Sequence, residues 1–468
     1  MQRISLDISL MFGKLDGWDL RREDLTPHIP RVEEAHRRLL SGKGDIMDGG
    51  IPMIGWLKLP LELGESHLLS IMESAKELSS SVDAFVSIGI GGSYLGIEST
   101  IASLTSRYYN QLPRERRNNW PEIYFLGNNL DPDYISDTLD ILKGKKVAVH
   151  VISKSGTTLE TAVAFRIMRK FLLDTNMVDL RPLVVVSTDR TKGKLWAMAR
   201  ELGLKTYEIP EDIGGRFSVL TDPLLFSIAM AGIDLVQFWQ GFKKMAELTS
   251  GHTFWENMAM VHCLMRYMAF LKGKAIEVVG TNSTYLYPLI RWMEQLFPES
   301  EGHKGKGLWV SPSLYTEKLH ANGQMVQEGV RNLIETFLIL EEYETKVDIP
   351  FDEQNLDGLN FLLTGGVQEV GGINNKALEG VALAHYEGGV PNMTIRIPKR
   401  TPYWIGQFYF LMEKSVALSG YLLGHNPFIQ PGVEAYKNNM YALLGKPGTE
   451  DRIQSLHRLK SSVEKIII

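Results

Sequence analysis

The polar and apolar positions change period several times along the chain. Leu68, Ile71, Met72, Ala75 and Leu78 recur at helical spacing, and AFVSIGI, residues 84–90, follows as a continuous apolar strand. Further strands are expected at EIYFLGN, KVAVHVI and PLVVVST, separated by helical stripes such as Leu159, Val163, Ile167 and Phe171. Continuous apolar strands alternating with helices indicate a parallel sheet covered on both faces. The alternation pauses over long helical patterns from Pro223 to about Ala269. It resumes with a strand at AIEVVGT, a helix at YPLIRWMEQLF, a strand at GLWV, and further helices to Gly424. The pattern predicts an α/β protein with two doubly wound parallel-sheet halves and additional helices. The expected divisions are an N-terminal segment packed on the body (1–60), a first α/β domain (61–240), a second (241–450) and a C-terminal extension (451–468).

Composition narrows the class. A chain of 468 residues is too long for one core. The most apolar long segment, 403–424, contains Gln407, Glu413 and Lys414 and is expected as a buried helix, not a membrane span. Arg3, Asp7 and Lys14 interrupt the apolar residues of the N-terminus, which argues against a signal peptide. A net charge of −5 with no block of like charges argues against nucleic acid as a partner. The single cysteine, Cys263, lies in the apolar stretch MAMVHCLMRYMAF and is expected to be a buried, inert thiol. It excludes an intrachain disulfide and fits a reducing, cytoplasmic setting. The eleven histidines show no metal-ligand spacing, so no metal is expected.

Candidate chemistry concentrates in a few stretches. VISKSGTTLET, residues 151–161, places Ser153, Lys154, Ser155, Gly156, Thr157 and Thr158 between an apolar strand and a helix. A phosphate monoester carries about −1.5 to −2 charge near neutral pH, and a helix N-terminus offers it free N–H donors. Helix capping, with Glu160 closing a box on Thr157, competes, although capping has no use for four hydroxyls. GIGGSYLG, residues 89–96, stands where a dinucleotide fingerprint would, but Tyr94 occupies the place of its third glycine. No Gly-Lys pair is followed by Ser or Thr, so a P-loop is absent too. The turn is either ligand-free or a small-anion or sugar contact at the carboxyl end of a strand.

GGRFSVL presents Arg216 after two glycines, either at the surface or turned into a site. In EQLFPESEGHKGKG, Pro298 is expected to end the preceding helix and leave Glu299 on a short connection, solvated or catalytic. In KLHANGQMVQEG, His320, Gln324 and Gln327 share one face if the segment is helical, and a solvent face is the competing reading. IQPGVEAYKNNMYALLGKPG reads as a helix from Pro431 to a cap at Gly445, with Val433, Tyr436, Met440, Leu443 and Leu444 as its inward stripe. Lys437 shares that face, and either snorkels out or is held for chemistry.

These five separated motifs, in this order between about Asp83 and Gly448, resemble the phosphoglucose isomerase family in its shorter bacterial form. The resemblance implies two sugar-isomerase (SIS) α/β domains, with the active site between them and across a homodimer interface. It implies interconversion of glucose 6-phosphate and fructose 6-phosphate, a step of glycolysis and gluconeogenesis, without metal or organic cofactor. Gly92 and Ser93 would then meet the sugar phosphate, and Ser153, Lys154, Ser155, Gly156, Thr157 and Thr158 would hold its phosphate. Arg216 would face the reacting carbons with Gln295 as neighbour, and Glu299 would move the proton between C1 and C2. His320, from the partner subunit, would open the ring with help from Lys437, while Gln430 would lie near the phosphate. The chain departs from the family pattern at His303, where a lysine is usual, and at Ser155-Gly156, where longer relatives carry Thr-Phe. A non-catalytic sugar-phosphate sensor would not need Glu299, His320 and Lys437 together. An amidotransferase built on the same module would need a cysteine near its start, where this chain reads Met1-Gln2.

Overall fold

Three short strands open the chain in the computed structural model, which describes residues 3–42, 50–175 and 179–468. They are β1 (Ser5–Asp7), β2 (Gly13–Leu15) and β3 (Trp18–Leu20), the last two forming a small antiparallel pair. The first large sheet holds β4 (Ala84–Ile88), β5 (Glu122–Leu126), β6 (Val147–Ile152), β7 (Val184–Thr188) and β8 (Lys205–Glu208). Its order is β5-β4-β6-β7-β8, with every neighbour parallel. The chain steps outward from β4 to β5, then crosses back to β6, so the carboxyl ends of β4 and β6 flank a topological switch point. Open α/β sheets bind ligands at such a crevice.

The second sheet repeats the plan with β9 (Ile276–Thr281), β10 (Trp309–Leu314), β11 (Leu333–Glu342) and β12 (Asn392–Lys399) in the order β10-β9-β11-β12. These strands are parallel, and β1 adds to β12 antiparallel. The α/β class and the two similar windings expected from the sequence are present. Strands β11 and β12, however, fall where further helices were expected. Both are buried on both faces over most of their length, and an apolar run without alternation does not distinguish a strand from a buried helix.

The helix Pro402–Leu423 is buried continuously from Ile405 to Leu423 and packs on the helices Leu235–Leu248 and Met258–Leu271. Among the described residues, no helix is long and apolar enough to cross a membrane. One apolar core runs through both halves, from Phe85 and Ile97 to Val279 and Leu289. The helix Leu235–Leu248 spans the division expected near residue 240. The N-terminal segment is tied to the body by Trp56 stacked on Phe217 at 5.0 Å, and by a 2.8 Å hydrogen bond from the Trp239 indole to the Pro60 carbonyl. Cys263 is buried, and burial pushes its thiol up, as suits an inert side chain.

Candidate active site

Two loops meet at the switch point. After β4 the chain turns through Gly91, whose φ of +57° favours glycine. At Gly92 a Cβ would lie 2.1 Å from the Gly215 carbonyl oxygen. Only glycine lets these backbones touch, so the GIGGSYLG turn is pressed directly onto the loop that carries Arg216. Ser93 lies on the same turn and lines the cleft.

The loop after β6 forms the opposite wall. Ser153 is buried, and its Oγ accepts the Gly156 N–H at 3.1 Å. Ser155 is exposed, and its Oγ accepts from the Thr157 N–H at 3.2 Å and the Thr157 hydroxyl at 2.9 Å. Thr158 is the N-cap of the helix Leu159–Asp174, yet its side chain makes no capping hydrogen bond. The capping reading is therefore not realised, and the Thr158 side chain borders the cleft. Lys154 also lines the cleft, where its Nζ donates to the carbonyls of Glu211 at 3.0 Å and Pro210 at 3.3 Å. Burial lowers its pKa, with Glu211 opposing. Lys154 thus ties this loop to the segment that leads to Arg216.

Arg216 itself is buried, not on the surface. Its Nε donates to Ser300 Oγ at 2.7 Å, and Nη1 donates to Gln430 Oε1 at 2.9 Å. Its Nη2 donates to the Pro427 carbonyl, with Ile429 O at 3.4 Å. Glu299 Oε2 lies 3.9 Å from Nη1. Burial brings the guanidinium pKa down to about 10, opposed by Glu299, so it stays charged at neutral pH.

Glu299 is not on a connection. The helix Tyr287–Glu301 runs straight through Pro298 and places Glu299 in its last turn. A proline inside a helix ordinarily kinks or stops it. Here the next two residues are anchored from outside: Ser300 by Arg216, and Glu301 by the buried Arg266. Arg266 also donates to Glu277 on β9 at 2.7 Å. Ending the helix at Pro298 would pull Glu301 away from Arg266 and leave a buried charge unpaired, which typically costs ~3–5 kcal/mol. Gln295, one turn earlier, donates to Glu299 Oε2 at 3.0 Å, while its own amide oxygen is buried without a partner among the described residues.

The helix Gly432–Leu443 closes the cleft, but not as expected. Its stripe is not packed into a core: Tyr436, Leu443 and Leu444 are each more than half exposed, and Ala442 alone is buried. Val433, Tyr436, Lys437 and Met440 instead line the cleft. Lys437 is half-buried there and donates to Glu434 at 2.8 Å. That bond, with burial opposing and Glu299 adding to it, raises its pKa. Tyr441, unremarked in the sequence, donates its hydroxyl to the Thr157 carbonyl at 2.8 Å. Asp189, Lys192 and Lys446 also line the cleft; they lie in loops with no recognisable pattern.

Among the candidates, Gly156 does not line the cleft although its loop does, and His320 stands apart altogether. It ends the 3-10 turn Glu317–His320 and is exposed, and the next helix starts only at Gly323. The helical face with Gln324 and Gln327 is therefore broken, and His320 does not line the cleft formed by its own chain. His303 donates to the Ile429 carbonyl at 3.1 Å. The cleft between the two walls has a volume of about 1420 Å³. Its floor carries a fixed cation beside a carboxylate, and its rim carries a ring of hydroxyls.

Known proteins share this plan. A solved hypothetical protein of Thermus thermophilus superposes with a TM-score of 0.81 at 29% identity, over 94% of this chain and 100% of that one. A glucose-6-phosphate isomerase structure from Chlamydia trachomatis gives 0.75 over 95% and 91%; at 17% identity it speaks for the fold alone. A glucose-6-phosphate isomerase of Acetivibrio thermocellus is 41% identical over 91% of this chain and 93% of its own. That of Alkaliphilus metalliredigens is 40% identical over 98% and 99%. The profile of the phosphoglucose isomerase family matches residues 73–330, and with relatives this close over nine tenths of its length the chain belongs to that family.

Proposed function

We propose that the cleft between the phosphate loop and Arg216 is where this chain interconverts glucose 6-phosphate and fructose 6-phosphate, with Glu299 as the base. The observation that carries the assignment is the placement of the Glu299 carboxylate. It is oriented by Gln295 at 3.0 Å and lies 3.9 Å from a buried guanidinium, across the cleft from the loop 153–158.

The phosphate sits on Ser153, Ser155, Thr157, Thr158 and the N–H groups at the start of the helix Leu159–Asp174. Ser93 and Gln430 meet the sugar phosphate between the walls. Lys437 assists the opening of the sugar ring. Glu299 then removes the proton from the carbon beside the carbonyl, and the electrons move onto oxygen to give an enediolate. Arg216, whose charge is already out of water and held by four acceptors, stabilises that oxygen. Glu299 returns the proton to the neighbouring carbon. Preorganised donors at a developing oxyanion are worth more here than in water, because nothing must reorganise as the charge appears.

A homodimer completes the site in this reading. His320 is exposed outside its own cleft, and the chain beyond it exposes Met325, Val330, Phe351, Leu356 and Phe361. A second copy covering that surface would bring His320 to the ring oxygen of a sugar bound in the partner's cleft. The setting proposed is the cytoplasm, in keeping with the single buried cysteine. A coupled assay that reports glucose 6-phosphate formed from fructose 6-phosphate tests the activity; a folded protein that turns over neither sugar would overturn it. Mixing His320→Ala with Glu299→Gln subunits should restore some activity. No recovery despite proven subunit exchange would place the ring-opening group within one chain.

A further inference from the structure

Two histidines outside the cleft link the two walls of the Arg216 cage. One wall is the end of the helix Tyr287–Glu301, with Glu299 and Ser300; the other is the segment 427–430. His303, just beyond the helix, donates from Nε2 to the Ile429 carbonyl at 3.1 Å. His425, just before the segment, donates from Nε2 to the Ser300 carbonyl at 3.2 Å. Each histidine therefore leaves its own wall to bond the other, and the two rings pack at 4.6 Å with a tilt of 37°. The residues they hold are the ones that hold Arg216: Ser300 accepts from its Nε, and Ile429 lies between the two acceptors Pro427 and Gln430.

A carbonyl can only accept, so both bonds require hydrogen on Nε2. Burial, with His303 adding to it, holds His425 below its ordinary range, so it is neutral near pH 7 with Nδ1 bare. A neutral ring is a short, stiff donor that adds no second cation beside Arg216.

We propose that His303 and His425 are a pair of positioning residues that set the separation of the two walls, and through it the aim of Arg216 at the reacting oxygen. The inference rests on the reading of Arg216 given above. A misplacement of about 1 Å can cost ~10²-fold in rate, whereas the loop 153–158, which carries most of the proposed phosphate contacts, belongs to neither of these walls. His303→Leu and His425→Leu should therefore lower kcat by about 10-fold or more and leave KM within about 3-fold. His303→Gln, whose amide NH2 reaches about as far as Nε2, should recover most of the loss.

The deciding measurement is a double-mutant cycle with Arg216→Ala, with folding of every variant checked by thermal denaturation and by binding of a sugar-phosphate inhibitor. If the pair acts through Arg216, His303→Leu adds little further loss of kcat once Arg216 is gone. An unchanged kcat in folded His303→Leu and His425→Leu, a Gln variant no better than Leu, or fully additive losses would overturn the inference and leave the role of Arg216 standing. A normal kcat in Arg216→Ala would overturn both.

Discussion

The two walls of the cleft differ in how their polar groups are used. At 153–158 the hydroxyls of Ser155 and Thr157 bond only each other, and the loop keeps its shape through Ser153, Lys154 and Tyr441. Around Arg216 the donors on all three guanidinium nitrogens already have acceptors, and the group is buried. In the proposed reading, the first wall is finished only when an anion arrives. The second is finished beforehand. A ligand group that stays the same through the reaction suits the first kind of wall, since equal grip on substrate and transition state lowers KM without raising kcat. Charge that appears only in the transition state needs the second.

Substitutions should separate the walls by which constant they move. The largest effect is expected at Glu299. Gln keeps its size but cannot take a proton, so kcat should fall by ~10²–10⁴ while a sugar-phosphate inhibitor binds almost normally. Exchange of the C2 hydrogen with deuterated water should fall in parallel; rapid exchange in a folded Glu299→Gln protein would assign the base elsewhere. Next comes Arg216→Ala, which should cost ~2.7–4 kcal/mol of transition-state stabilisation, read in steady-state kinetics as kcat rather than KM. Thr158→Ala should show the reverse split: a hydrogen bond to a charged group is worth ~1.5–3 kcal/mol, so KM should rise about tenfold or more with kcat little changed. If kcat fell and KM held, the loop would not be the phosphate wall.

Tyr441→Phe should be milder still. It removes one hydroxyl bond to the Thr157 carbonyl, ~0.5–1.5 kcal/mol, and should raise KM a few-fold through a loosened loop. The smallest expected effect is none: exhaustive treatment with EDTA should leave turnover intact. A loss of activity restored only by a divalent ion would mean that one wall works through a metal.

These differences also explain what could be read from the chain directly. The candidate phosphate loop is legible because its pattern is local: hydroxyls, a glycine and a helix start fall within a few residues. Arg216 was legible as a candidate, but its cage was not, since Ser300, Pro427 and Gln430 come from distant segments. Glu299 stands out in the sequence as a candidate, but the expectation that it lies on a connection is wrong. Local rules end a helix at Pro298, whereas tertiary contacts, Arg216 on Ser300 and the buried Arg266–Glu301 pair, accompany its continuation. The apolar stripe of 432–443 reads as a core face because an apolar face toward a cleft has the same spacing as one toward a core. Strands β11 and β12 went unread because burial on both faces erases alternation.

The contact between Gly92 and Gly215 has a consequence for how this protein can change. Two stretches far apart in the chain occupy one another's van der Waals space, with room for a hydrogen and nothing larger at Gly92. Neither loop can then be lengthened, grafted or randomised by itself without moving the other. A library aimed at new sugar specificity through the GIGGSYLG turn would in practice also be a library of Arg216 positions, and most of its members would fail for that reason. The useful diversity lies on the far rim, at Lys192 and Lys446, whose exposed side chains border the same cleft without sharing that backbone contact.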